Sequence, residues 1–368
     1  MMRTALCLAL AVSASASERI RYGGELIVNY SARDEGYFNF VQYDRSGLRI
    51  FRVNFAAELH ANDHFAFLTE IRTDNLDVPL PYALYVRLKP WPERSVDIEV
   101  GRIPPVFGAF ARRRYEQDNP LIGYPLAYQY PTVMRADAAP ASVSELLSQR
   151  GRGAMVYYSI GERSLSSGLP IFNPLKWDTG ASVRAANQRL EGALAVTQGT
   201  VTNPLVRDDN SGKQLAGRLG WRPGPAWIVG VSGARGAYVS DEVGAEGFQT
   251  AWGMDAEFSQ GYWILRSELI WSRWDAPTLD VGPLDALAWM LEGRYKLGPG
   301  FYVAGRADHI GFSQIVATWD APVSRFEIGV GYNFHRHVLG KFSIQHNRRD
   351  GGRVRSDTIP AAQVLFWF

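Results

Sequence analysis

Apolar and polar residues alternate along most of this chain, a pattern that places them on opposite faces of extended strands. Near the end, Phe326 and Ile328 share one face of such a segment, and Arg325 and Glu327 share the other. Similar segments recur from residue 20 to Phe368, with no long helical pattern between them. The alternation therefore predicts an all-β protein, a single antiparallel up-and-down barrel.

The expected connections between these strands alternate between tight turns and longer links. Short turns on one rim and long loops on the other are typical of outer-membrane barrels, whose apolar side chains face lipid and whose polar side chains face the lumen. A soluble two-sheet sandwich would bury the apolar faces instead. The tight turns are expected at 61–63, 90–93, 187–188, 223–225, 260–261, 298–300 and around His337, and the long links at 31–46, 74–79, 103–151, 202–212, 240–247, 275–283, 315–322 and 349–357.

The number of strands depends on one weak segment. The pattern gives roughly seventeen strands, but both chain ends should lie on the periplasmic rim, which requires an even number. A further crossing at Ser164–Phe172 makes eighteen, although Pro170 cannot donate a hydrogen bond to a β-ladder. We therefore expect eighteen strands, with sixteen as the alternative.

The first sixteen residues resemble an export signal. Arg3 precedes an apolar run, and Ala14-Ser15-Ala16 forms a small-residue cleavage site. Its removal would leave the barrel at 17–368 without Cys7, the one cysteine, so disulfides and thiolate metal sites are not expected. The formal net charge, +2 for the whole chain, falls by one unit with Arg3 and gives no support for nucleic-acid binding.

The polar faces of the strands predict a lumen wall of mixed charge. Many opposite charges lie two residues apart on one strand, so the alternatives are bracing of the wall by ion pairs and selection of solutes. The wall residues expected from the pattern are Arg52, Arg72, Arg87, Arg218, Arg266, Glu268, Glu292, Arg294, Arg306, Asp308, Arg325 and Glu327.

The segment 103–151 is far longer than a hairpin needs, and loops of this length are usually functional or disordered. It is rich in tyrosine and proline, and Ser142 with Glu145 predicts a capping box that opens a short helix. We expect it to fold into the lumen as a constriction. The candidate solute-binding residues are Arg112, Arg113, Arg114, Tyr115 and Arg135, whose guanidinium groups suit carboxylate and phosphate; exposure of these arginines at the outer rim is the alternative.

A family resemblance accompanies this segment. Residues 101–108, Gly-Arg-Ile-Pro-Pro-Val-Phe-Gly, resemble the element that precedes the constriction loop in porins similar to the phosphate-selective porin O and P family. Val106 stands where that family usually has proline. The expected wall carries mixed charges and lacks a ladder that consists of basic residues alone. The resemblance implies a porin, whereas phosphate selectivity is not supported by the wall charges.

These features predict a porin of the bacterial outer membrane that allows passive diffusion of small polar solutes, anionic or neutral. The alternative is a non-conducting barrel that acts as a scaffold, an adhesin or a partner-binding protein. The six histidines are scattered, and no nucleotide or metalloprotease motif occurs, so we expect no enzymatic activity, no cofactor and no metal. The expected partners are outer-membrane lipid, the solutes and the barrel-assembly machinery acting on the strand that ends in Phe368; a homotrimer is a possible assembly.

Overall fold

Sixteen strands form a closed antiparallel barrel in the computed structural model, which describes residues 19–41, 45–109, 115–174 and 176–368. Each barrel strand pairs with its neighbours along the chain, and β1 pairs with β20 to close the ring. Two further ladders of two short strands each, β2 with β3 and β8 with β9, belong to the connections and are not part of the barrel wall. The strands are β1 Ile20–Ser31, β2 Phe40–Val41, β3 Arg45–Ser46, β4 Phe51–His60, β5 Phe65–Asp74, β6 Leu80–Leu88, β7 Val96–Ile103, β8 Ala138–Ala139, β9 Ile160–Gly161, β10 Asp178–Ala186, β11 Leu190–Thr197, β12 Gln214–Gly224, β13 Trp227–Ala237, β14 Phe248–Gln260, β15 Trp263–Trp274, β16 Leu284–Gly298, β17 Phe301–Phe312, β18 Val323–His335, β19 Val338–Arg349 and β20 Ser356–Trp367.

The apolar faces of the strands point outward. In β18, Phe326 is 55% exposed and Ile328 is 49% exposed, whereas Arg325 and Glu327, which alternate with them, are buried inside the barrel. Exposed large apolar side chains recur on the same outer face of all neighbouring strands. An apolar outer belt around a closed antiparallel barrel is the architecture of outer-membrane proteins. The structure therefore confirms the predicted barrel, the direction of its faces and its location in the bacterial outer membrane.

The strand number differs from the preferred expectation, since the barrel has sixteen strands and the prediction of eighteen is wrong. Strand β7 pairs directly with β10, from Ile103 with Asp178 to Val96 with Ala185, so no further strand fits between them. The further crossing expected at 164–172, and the extended residues 157–160 before it, lie inside the connection between β7 and β10. Their extended backbone pairs within that connection, as in the bridge between Val156 and Ser166 and the pair of Ala139 with Ile160.

The predicted alternation of short and long connections is confirmed. Seven connections on one rim span two to seven residues, and the rest form the opposite rim. The longest connection, 104–177, enters the barrel, and we call it the inserted segment. It contains a 3-10 turn Glu116–Asp118, helix α1 Leu126–Gln129 and helix α2 Val143–Ser148. The described part of the first long link, 32–50, packs beside it, because Phe38 stacks on Tyr130 and Leu48 clusters with Ile122.

The inserted segment carries an apolar core of its own. Phe107, Tyr128 and Phe172 pack ring against ring, with centroids 5.1 to 5.5 Å apart. This core continues to Trp274 and Trp319 at the long-loop rim, both fully buried. As predicted, the hydroxyl of Ser142 accepts a hydrogen bond from the Glu145 amide and caps α2. The segment is therefore an ordered body inside the barrel rather than an open loop.

Candidate solute pathway

Two glycines direct the chain from the wall into the lumen. Gly101 has φ +129°, and a Cβ there would lie 2.4 Å from the backbone oxygen of Leu84 on the neighbouring strand. Gly108 has φ +66°, in the left-handed region that favours glycine. After this turn the Gly108 amide donates to Ser232 and the Ala109 amide donates to Glu268, both inside the barrel. The motif at 101–108 thus places the start of the inserted segment against the far wall.

Buried charges of the wall bind the backbone of the inserted segment. The Gly123 amide donates to the Glu327 carboxylate at 3.2 Å, and the Arg306 guanidinium donates to the Gly123 carbonyl oxygen. Arg325 donates to the carbonyl oxygens of Tyr124 and of Phe38, each at 2.8 Å. These three predicted wall residues are therefore covered by the segment, and their donors and acceptors hold it in place.

Lys341 makes a second anchor of the same kind. Its ammonium group donates to the carbonyl oxygens of Glu116 at 2.6 Å, Asn119 at 2.7 Å and Leu121 at 3.3 Å. The side chain is buried, and all three N–H groups of a lysine are used. Sequence reasoning missed this residue, although its position on the polar face of β19 could have indicated it.

A chain of ion pairs runs across neighbouring strands of this wall. Arg266 contacts Glu257 at 3.1 Å and Glu292 at 3.0 Å, and Arg306 contacts Glu292 at 3.1 Å and Glu327 at 2.8 Å. These strongest pairs join different strands instead of residues two apart on one strand. A weaker contact, 3.5 Å, joins Arg306 to Asp308 on the same strand. Such cross-strand pairs brace the wall on which the segment rests.

The other predicted wall residues are engaged in contacts of several kinds. Arg52 and Arg72 both contact Asp74, at 2.7 and 3.1 Å. The other pairs are Arg87 with Glu58 at 3.0 Å, Arg218 with Asp255, Glu268 with the Tyr128 hydroxyl at 2.6 Å, and the Arg294 guanidinium over the Tyr302 ring at 5.5 Å. Within the described residues these arginines are thus engaged by a carboxylate or an aromatic ring.

Three cavities lie in a row beside the inserted segment. The largest, about 530 Å³, is on the short-turn side and is lined by polar residues that include Glu58, Arg87 and Arg184. A second, about 290 Å³, opens among the long loops and is lined by residues that include Asn203 and Asp209. Between them a cavity of about 20 Å³ shares lining residues with each of the other two. The row forms a candidate pathway that is narrow in the middle.

The predicted constriction residues fall in different places. Arg112, Arg113 and Arg114 lie outside the described residues. On either side of them, the Ala109 amide contacts Glu268 on β15, and the Tyr115 hydroxyl contacts Glu70 on β5, on opposite sides of the ring of strands. Tyr115 lines the largest cavity.

Arg135 is buried within the inserted segment itself. Its guanidinium group contacts Asp137 at 2.8 Å and donates to the carbonyl oxygens of Val156 and Ser164, at 2.9 and 2.6 Å. Its donors therefore stabilise the segment and do not face any of the three cavities.

Asp320, in the link between β17 and β18, ties the inserted segment to the long-loop rim. Its carboxylate accepts hydrogen bonds from the amides of Val133 at 3.0 Å, Gly151 at 2.8 Å and Ala321 at 2.6 Å. Burial raises the pKa of this carboxyl group to about 6, although the three amide donors act in the opposite direction. The sequence carries no motif that would have identified it.

The described part of the chain contains no group of three or more histidine, cysteine, aspartate or glutamate side chains placed to hold a metal ion. None of its helices is long and apolar enough to cross a membrane.

No protein-family model and no curated protein sequence matches the chain. Solved structures do match it over 95% of its length. They include a loop-deletion mutant of OmpT, an outer membrane protein of Vibrio cholerae (TM-score 0.61, 11% identity, 99% of that chain), OmpF of Salmonella typhi in complex with daunomycin (0.59, 11%, 97%) and an anion-selective porin from Comamonas acidovorans (0.56, 11%, 99%). At this identity the likeness concerns the fold, and the chain has the barrel fold found in outer-membrane porins.

Proposed function

We propose that the chain is an outer-membrane porin through which small polar solutes, anionic or neutral, diffuse passively. The observation that carries this proposal is the row of polar cavities through a barrel whose outer surface is apolar. Barrels of this size hold a water-filled channel when the interior is polar. The proposal includes no enzymatic activity, no cofactor and no metal.

The inserted segment is the proposed constriction. Its described residues are bound to β15, β17, β18 and β19, and the row of cavities runs on its other side, along β1, β4 to β7 and β10 to β12. Arg112, Arg113 and Arg114 are proposed to supply positive charge there, because the residues on both sides of them contact opposite walls. The resemblance of 101–108 to porins of the phosphate-selective type supports an anionic solute, whereas the paired arginines of the wall give no further support for phosphate.

Planar-bilayer recordings on refolded protein test the proposal. Stepwise channels are expected, and the reversal potential in a salt gradient gives the ion preference. Replacing Arg112, Arg113 and Arg114 with alanine should lower the preference for anions. The matched control replaces three exposed loop arginines, Arg207, Arg353 and Arg355, with alanine. Equal shifts in the two triple variants would place the first three outside the constriction.

A non-conducting barrel that serves as a scaffold, an adhesin or a partner-binding protein is the second candidate. It is favoured by the apolar core inside the barrel and by the small middle cavity of about 20 Å³. An absence of stepwise channels in folded protein would favour it.

The proposed partners are outer-membrane lipid, the diffusing solutes and the assembly machinery that recognises a last strand ending in Phe368. A homotrimer is proposed because one similar structure, OmpT of Vibrio cholerae, is described as a trimer form. Cross-linking of the protein in detergent would test it.

A further inference from the structure

The narrow middle of the candidate pathway contains one lysine that neither the wall pattern nor the motif indicated. Lys176 lines both the long-loop cavity and the middle cavity, as does Asn173. Pro104 and Pro105 line both the middle cavity and the large short-turn cavity. A solute that moves between the two larger cavities along this row therefore passes Lys176.

The ammonium group of Lys176 has free donors. Among the described residues it has no ion pair and no hydrogen bond, although it is partly buried. Burial, with a smaller effect from the nearby Arg102, lowers the pKa of this amine. A partly buried cation without a partner gains most from an anion that enters beside it, because the interaction strengthens as water is excluded.

The carboxylates around the same cavities are already engaged. Asp137 is paired with Arg135 at 2.8 Å. Asp178 accepts from the amides of Gly199 at 3.0 Å and Leu205 at 3.1 Å. Asp209 accepts from the Asn210 side chain at 3.0 Å. Unlike these three carboxylates, the Lys176 ammonium group can still donate hydrogen bonds to a solute.

We infer that Lys176 forms an oxyanion-binding site at the narrowest part of the pathway, where it takes the carboxylate or phosphate group of a small solute. Three polar residues, Ser166, Ser167 and Asn203, line the adjoining cavity and are suited to replace part of the water shell of that solute. This inference deepens the proposed porin function. It adds a described cation to the pathway, on the β10 side of the inserted segment.

Ion selectivity gives the first test. Lys176→Gln should lower the anion-to-cation permeability ratio about threefold or more, and Lys176→Glu should lower it further, because a unit charge acts most strongly in a narrow, partly dehydrated passage. The matched control is Lys213→Gln, an exposed loop lysine paired with Asp208. An equal ratio in wild type and Lys176→Gln would overturn the inference and leave the porin proposal intact.

A second test does not require conductance. Ser167→Cys introduces a thiol in the long-loop cavity of a chain whose one cysteine, Cys7, lies in the expected export signal. The rate at which a thiosulfonate reagent modifies this thiol can be measured by mass spectrometry. Inorganic phosphate should slow the modification when Lys176 is present and should have no effect in the Lys176→Gln background. Protection in a non-conducting barrel would support the site and reject the porin. Equal rates in both backgrounds with phosphate present would reject the site.

Discussion

Replacing Lys341 with methionine should release part of the inserted segment from the wall. The change removes three hydrogen bonds from a charged donor to the carbonyl oxygens of Glu116, Asn119 and Leu121. Each such bond contributes about 1.5–3 kcal/mol, and relief from burying the lysine charge offsets part of the loss. We therefore expect the docking of the segment to weaken by about 3–5 kcal/mol.

The readouts are single-channel conductance and limited trypsin digestion of the folded barrel. Conductance should rise or fluctuate between levels, and new cleavage should appear within 104–177, whereas the sixteen-strand wall should stay resistant. Lys296→Met is the matched control, because Lys296 is an exposed lysine of β16 whose ammonium group has no hydrogen-bond partner among the described residues. The same conductance and cleavage pattern in both variants would refute the view that Lys341 holds the segment.

Three further outcomes follow from single contacts. Burial raises the pKa of Asp320 to about 6, so the folded state binds more protons than the unfolded state between about pH 4 and pH 6. Docking of the inserted segment, measured by proteolysis, should therefore be strongest near pH 4 and weaken by on the order of 3 kcal/mol as the pH rises through 6. Asp320→Asn should remove this pH dependence. Gly101→Ala should destabilise the barrel against urea more than Gly244→Ala, which shares a positive φ but has open space around it; equal losses would show that the close approach at Gly101 is unimportant. Arg306→Met should lower the free energy of unfolding by about 3–5 kcal/mol, because Glu327 stays buried without its guanidinium partner. The double variant Arg306→Met, Glu327→Leu should lose less stability in the same urea titration, and a greater loss would contradict this explanation.

The wall of the barrel could be predicted from the sequence because each strand has two faces with different environments. The alternation of Phe326 and Glu327 is enough to fix which face meets lipid and which meets the interior. The seven tight turns were also predictable, since they consist of residues such as Asn187 and Gly261 that favour turns.

The interior could not be predicted in the same way. Residues 152–172 contain short alternating stretches that predict strands, but these stretches pair within the inserted segment. Their periodicity does not distinguish a strand of the barrel wall from an extended stretch inside the barrel. The partners of Lys341, and two of the three partners of Asp320, are backbone groups more than a hundred and fifty residues away, and backbone groups carry no sequence signal. The strand count failed for the first reason, and the anchors were missed for the second.

The anchors of the inserted segment also dictate an order of assembly. The hydrogen bond between Gly123 and Glu327 joins residues 204 positions apart, and the one between Gly36 and Arg349 joins residues 313 positions apart. Neither bond can form until strands from the last third of the chain have joined the barrel. Because contacts so distant in sequence form slowly, closure of the cylinder should precede the final filling of its interior, and a newly closed molecule should pass through a wide, leaky stage before it matures.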